Sequence, residues 1–162
     1  MSVQVSVAMK CTAVETIATN ADSVTGDGAK VTHNVFDFST SLNDATTVPV
    51  TKVSAQVITL SSGAAVLDLT ALTGINGGTV NATGLKLQVW KLKNLGANTM
   101  TFSNGASNSY GALGTTYSFV LASGQRAMFF FNEAAPDVAS NAKNIAVAGT
   151  GSQTFQNEMI FG

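Results

Sequence analysis

Apolar and polar residues alternate along much of this chain. Leu85, Leu87 and Val89 fall on one face of such a run, and Lys86, Gln88 and Trp90 on the other. Alternation sends successive side chains to opposite faces of an extended backbone, so this run predicts a half-buried strand with Leu85, Leu87 and Val89 inward. Similar runs follow at Thr99–Phe102, Thr116–Leu121, Arg126–Phe131, Asn144–Val147 and Thr154–Phe161. Turn residues separate them: Asn104-Gly105, Ser123-Gly124, Pro136-Asp137 and Gly149-Thr150-Gly151. Short strands punctuated this regularly predict an all-β fold, an antiparallel sandwich or barrel.

The first half of the chain continues the theme. Val3, Val5 and Val7 alternate with Ser2, Gln4 and Ser6, Met9 keeps the phase, and Cys11–Ile17 extends it after a break near Lys10. A strand this close to a terminus either edges its own sandwich or reaches a neighbour, so residues 1–20 are a candidate arm. Asn20–Lys30 reads as a polar loop and Val31–Ser39 as a strand, with Phe36 and Phe38 on one face. Leu42–Thr47 is a polar connection, and Pro49 marks the start or edge of a strand because it lacks an N–H. Val53–Leu60 alternates. Ala64–Leu72 fits a strand followed by a turn, and glycine-rich Thr73–Gly78 fits a loop. No internal repeat, linker or long amphipathic helix appears, so residues 1–162 are expected to form a single domain.

Composition narrows the function. Charged residues make up 10% of the chain, against about 25% in a typical domain. Net charge is −1 and the basic residues are scattered, with only Lys86, Lys91 and Lys93 close together, so nucleic acid is not an expected partner. A surface so poor in charge has little protection against self-association, which implies faces covered by other subunits. No basic segment leads into an apolar run at the start, and no stretch approaches a membrane span. A protein made and kept in a cytoplasm, or released without secretion, is therefore expected. The Asn81-Ala82-Thr83 acceptor pattern is then incidental.

Catalytic constellations are missing. The lone His33 has no second histidine to act with, and the lone Cys11 reads as a small buried hydrophobe. Asp22 and Asp27 lack the spacing of a calcium loop. Glu15, Glu133 and Glu158, with six aspartates, offer carboxylates but no motif that pairs them. No catalytic, metal or cofactor residues are expected, and no enzyme. Three aromatics raise another class: Trp90, Tyr110 and Tyr117 could stack on sugars. The favoured reading of Trp90 is packing against a second layer or a neighbouring subunit. Phe129-Phe130-Phe131 puts rings on both faces of one strand, as in a sheet covered on both sides by an oligomer.

The stretches Asp68-Leu69-Thr70-Ala71-Leu72, Gly84-Leu85-Lys86-Leu87-Gln88 and Lys93-Asn94-Leu95-Gly96-Ala97-Asn98 resemble a group of small tailed-phage virion proteins. Ser103-Asn104-Gly105-Ala106-Ser107-Asn108, Ala122-Ser123-Gly124-Gln125-Arg126, Pro136-Asp137-Val138 and Gly149-Thr150-Gly151-Ser152 extend the likeness over Val53–Gly162. That resemblance implies a jelly-roll-like sandwich acting as a capsid decoration or cement protein. It implies a virion location on the capsid surface, a homotrimer and the major capsid protein as partner. A glycan- or receptor-binding fibre or spike module is the alternative, and a sheath or tail subunit a third.

Overall fold

The computed structural model describes residues 3–17, 29–33 and 37–162. They contain strands β1 (Val5–Met9), β2 (Ala13–Ile17), β3 (Ala29–His33), β4 (Phe38–Leu42), β5 (Lys52–Thr59), β6 (Ala64–Asp68) and β7 (Leu72–Thr73). Then come β8 (Thr79–Val80), β9 (Leu87–Asn94), β10 (Met100–Asn104), β11 (Ser118–Leu121), β12 (Arg126–Phe130), β13 (Asn144–Ala148) and β14 (Thr154–Phe161). All strand pairings are antiparallel, and no helix occurs among the described residues.

From β5 onward the chain doubles back on itself. β10 pairs with β11, β9 with β12, β6 with β13 and β5 with β14. Those pairings alone would make one long ribbon. The ribbon rolls up because β14 also pairs with β9, and β13 with β10. The result is two four-stranded sheets, β12-β9-β14-β5 and β11-β10-β13-β6, packed face to face. This is the jelly-roll sandwich: the strands of the rolled ribbon alternate between layers except at its tip, where β10 and β11 are neighbours in one sheet.

Short turns join the layers at one end. Gly63 N donates to Gly151 O at 2.7 Å, Gly149 N to Gly63 O at 2.7 Å, and Gly124 N to Asn94 O at 3.1 Å. Gly63 has φ +83°, and a Cβ there would lie 2.8 Å from the Gly149 carbonyl oxygen, so the close approach of these two turns needs glycine.

The inner faces supply the main core. Leu67, Phe102, Ile145 and Val147 of one sheet meet Leu87, Trp90, Leu92, Phe155 and Met159 of the other. Trp90 is at its centre, 6.1 Å from Phe102 and 5.7 Å from both Phe119 and Phe129 between ring centroids. Its Nε1–H donates to Asn157 Oδ1 at 2.9 Å, so the buried indole keeps a polar partner.

The phase of β9 differs from the expected alternation. Ile160 pairs with Val89, but the next residue, Phe161, pairs with Leu87. Gln88 is the extra residue of a β-bulge, which moves every later side chain to the opposite face. Leu87 and Trp90 therefore point into the same core, while Val89 points outward with Ile160. The inward assignment holds for Leu87, and for half-buried Leu85 packed on that core, but is overturned for Val89.

Outward-facing Val89 and Ile160 are covered by a third layer. The ribbon of β1 and β4 lays Val7 and Leu42 over Val89, Ile160 and the partly buried Val53, Met128 and Phe130. Phe38 of β4 sits 5.1 Å from Phe130 between ring centroids. The two-faced Phe129–Phe131 run thus has an intramolecular explanation. Phe129 and Phe131 join the main core, and the chain's own ribbon covers Phe130. The start of the candidate arm, β1, pairs within the chain as part of this extra layer and does not edge the sandwich.

The predicted strand Val31–Ser39 is divided between two ribbons. β3 pairs with β2, and β4 with β1. Ala29 and Lys30, expected in a loop, belong to β3. Asp22, Asp27 and Phe36 lie outside the described residues. Cys11, expected in the core, is exposed because it precedes β2 in a segment that joins neither core.

Leu87 is fully buried on β9, and Val57 is 59% exposed on β5 of the same sheet. Leu87→Ala should therefore cost about 2–5 kcal/mol, whereas Val57→Ala should stay within about 0.5 kcal/mol of wild type. Urea unfolding of the two variants checks this; equal losses would refute the assigned faces.

Candidate functional site

The residues singled out for chemistry do not converge. His33 Nε2 lies 3.4 Å from Glu15 Oε2 on the β2–β3 ribbon, with both side chains more than half exposed. Glu158 pairs with Lys91 at 2.6 Å on the sandwich, and Glu133 is exposed in the turn after β12. No group of three or more His, Cys, Asp or Glu side chains suited to a metal occurs among the described residues.

The sugar-stacking candidates are placed by packing. Trp90 and Tyr110 are fully buried and present no ring face to a sugar. The Tyr110 hydroxyl donates to Pro136 O at 2.7 Å and accepts from Leu87 N at 3.3 Å. It ties the long β10–β11 and β12–β13 connections to the start of β9. Tyr117 is half-buried, stacked on Phe119 at 6.4 Å between centroids, and its hydroxyl is buried without a protein partner.

The features left available to a partner are the two outer faces. On the β11-β10-β13-β6 sheet, cross-strand register defines two successive rows. One is Val120, Thr101, Ala148 and Ala64; the other is Ser118, Ser103, Ala146 and Val66. Every outward position in these rows is Val, Thr, Ala or Ser. Val66 is 62% and Val120 57% exposed. Charge begins only at the rim, where Lys143 Nζ meets Asp68 Oδ2 at 2.7 Å.

The outer face of the β12-β9-β14-β5 sheet is graded. Its row of Phe130, Val89, Ile160 and Val53 lies beneath the β1–β4 ribbon. The next row is Met128, Lys91, Glu158 and Ala55, and the one beyond is Arg126, Lys93, Gln156 and Val57. These last two rows line an open trough of about 810 Å³. Arg126 and Lys93 are directly opposed across the strands, and no carboxylate lies within ion-pair distance of either among the described residues. Of the three lysines grouped by sequence, Lys91 and Lys93 share this trough, whereas Lys86 pairs with Asp137 at 2.9 Å beside the long connections. Arg126 was missed because its partner in register lies 33 positions earlier, and only the pairing brings them together.

The fold places the chain among jelly-roll β-sandwich proteins, with the outer face of one sheet exposed and that of the other partly covered by the β1–β4 ribbon. No known family's sequence profile matches the chain, and no curated protein matches it. A chain in the solved structure titled "Bacillus endospore appendages form a novel family of disulfide-linked pili" is similar at 19% identity and a TM-score of 0.42. The match covers 68% of this chain and 82% of that one.

Burial makes the tyrosines sensitive to alkali. Desolvation disfavours the phenolate and pushes the Tyr110 hydroxyl up to about 12, with that of Tyr117 also raised. The unfolded value is about 10. A raised folded value stabilises the fold fully below about pH 10, and that contribution is lost as pH climbs through the folded value. Absorbance at 295 nm should show little phenolate near pH 10, then ionisation coupled to unfolding toward pH 12. Free ionisation of both phenols at pH 10 with the fold intact would contradict the burial.

Proposed function

We propose that this chain is a structural subunit that docks on a larger protein shell and stabilises it by binding alone. This is the capsid decoration role that the turns of Val53–Gly162 resemble. The observation that carries the reading is the uncharged outer face of the β11-β10-β13-β6 sheet. Docking there strips water from no ionised group. Ala, Ser, Thr and Val also lose little rotamer freedom on burial, and their small size lets a partner's backbone approach the sheet. Binding the assembled shell but not its dissociated parts stabilises the shell by mass action. Many attached copies add up without any one contact being strong.

The test uses particles that carry the protein and particles stripped of it. Stripped particles should release their genome at a lower temperature, and rebinding should restore the original value. Since no charge is involved, rebinding should persist at high salt. Val66→Lys with Val120→Lys should weaken rebinding by about tenfold or more, an effect of about 1.4 kcal/mol, while leaving the urea midpoint unchanged. Equal release temperatures for the two kinds of particle would reject the shell role.

A further inference from the structure

We propose that copies of this protein associate with one another by seating the β2–β3 ribbon of one copy in the trough of the next. The proposal is independent of the shell reading, since the trough and the uncharged face belong to different sheets.

The ribbon calls for a cover. Its described side chains lie outside both cores, and Val14 and Val31 are 58% and 37% exposed. Its side chains at 13–15 and 30–33 are all exposed, and a two-stranded ribbon is marginally stable at best on its own. Val31 pairs with Glu15 across the ribbon, so a β-branched apolar residue and a carboxylate share one face.

The trough offers the complement. Opposed Arg126 and Lys93 repel each other, a cost that an incoming carboxylate would offset. Ala55, Val57 and Met128 supply apolar surface beside them. Glu15, which lies 3.4 Å from His33 on the ribbon, would exchange that contact for the two cations while Val31 met Val57 and Met128. The same sheet already shows that it accepts a two-stranded ribbon, because β1–β4 covers its adjoining half. Dimensions agree: a five-residue strand spans about 17 Å, and four strands lie about 14 Å from first to last. Ribbon and trough are different surfaces, so the contact is heterologous and runs head to tail, closing into a ring or growing as a filament according to its rotation.

A charge exchange tests this. At low salt, wild type should rise in sedimenting mass with concentration and fall back when salt is added. Glu15→Lys alone should stay monomeric, because a cation would face cations. The double variant Lys93→Glu with Arg126→Glu should also stay monomeric, because a carboxylate would face carboxylates. An equimolar mixture should regain association, since each ribbon then meets a trough of opposite sign. Urea unfolding confirms that each variant folds; where one does not, Glu15→Gln and Arg126→Gln should each weaken association at least several-fold. A wild type that stays monomeric at every concentration overturns the proposal. So does association that persists in both charge variants, or a mixture that fails to regain it.

Discussion

A single extra residue in β9 governs the architecture. Without the bulge at Gln88, Leu87 and Val89 would share the inner face and Trp90 would point to solvent. With it, the main core receives Trp90 and Leu92, and Val89 emerges on the outside. The bulge has its own polar support. Gln88 O accepts from Phe131 N at 2.9 Å, and its side-chain Nε2 donates to Val48 O at 2.7 Å. It therefore anchors the end of β12 and the segment leading into β5. A sheet with apolar residues on both faces needs a third layer, and the β1–β4 ribbon supplies it.

That third layer covers only part of the sheet. Where it ends, the outward positions change from Val89 and Ile160 to Lys91 and Glu158, and then to Lys93 and Gln156. The change is made within two strands of eight residues each. Folding thus divides one sheet face into a region closed by the chain itself and a region left for contact. The opposite sheet follows a different rule. Its two outward rows carry no charge along their whole width, so the molecule presents a charged trough on one side and a neutral face on the other. Salt should act on contacts at these two faces in opposite degree.

Much of the sandwich was legible in the sequence because alternation and turn chemistry are local. Thr154–Phe161 became β14 with unchanged bounds, and the runs leading to β5, β10, β11, β12 and β13 differ from the observed strands by one or two residues at an end. The jelly-roll wrapping was not written in any one run, since it rests on pairings such as Lys52 with Phe161. The bulge left a trace in the sequence: the apolar phase moves from Leu85, Leu87 and Val89 to Trp90 and Leu92, with Lys91 and Lys93 falling in the first phase. What the sequence did not show is where the extra residue sits, and the partner strand's register places it at Gln88. The division of Val31–Ser39 escaped too, because two short strands in series look like one long strand. Both candidate contact faces are cross-strand constructions. Lys93 and Arg126 become neighbours, and Val66 joins Ser118 in one row, only after the sheets assemble.

The scarcity of charge has a structural logic beyond composition. Lys86–Asp137, Lys91–Glu158 and Lys143–Asp68 account for six of the charged side chains in ion pairs on the sandwich, and none falls within the two rows of the neutral face. The edges of that same sheet, β6 and β11, contain neither Lys nor Pro, the residues that ordinarily protect an edge strand from pairing with another chain. Both edges are short, and the charge they carry is Asp68 at the end of β6, paired with Lys143. Under the proposed docking role this arrangement would spare a partner the desolvation of an ionised group. Lys93 opposite Arg126 breaks this economy on the other sheet, where two cations face each other and neither has a carboxylate within ion-pair distance among the described residues.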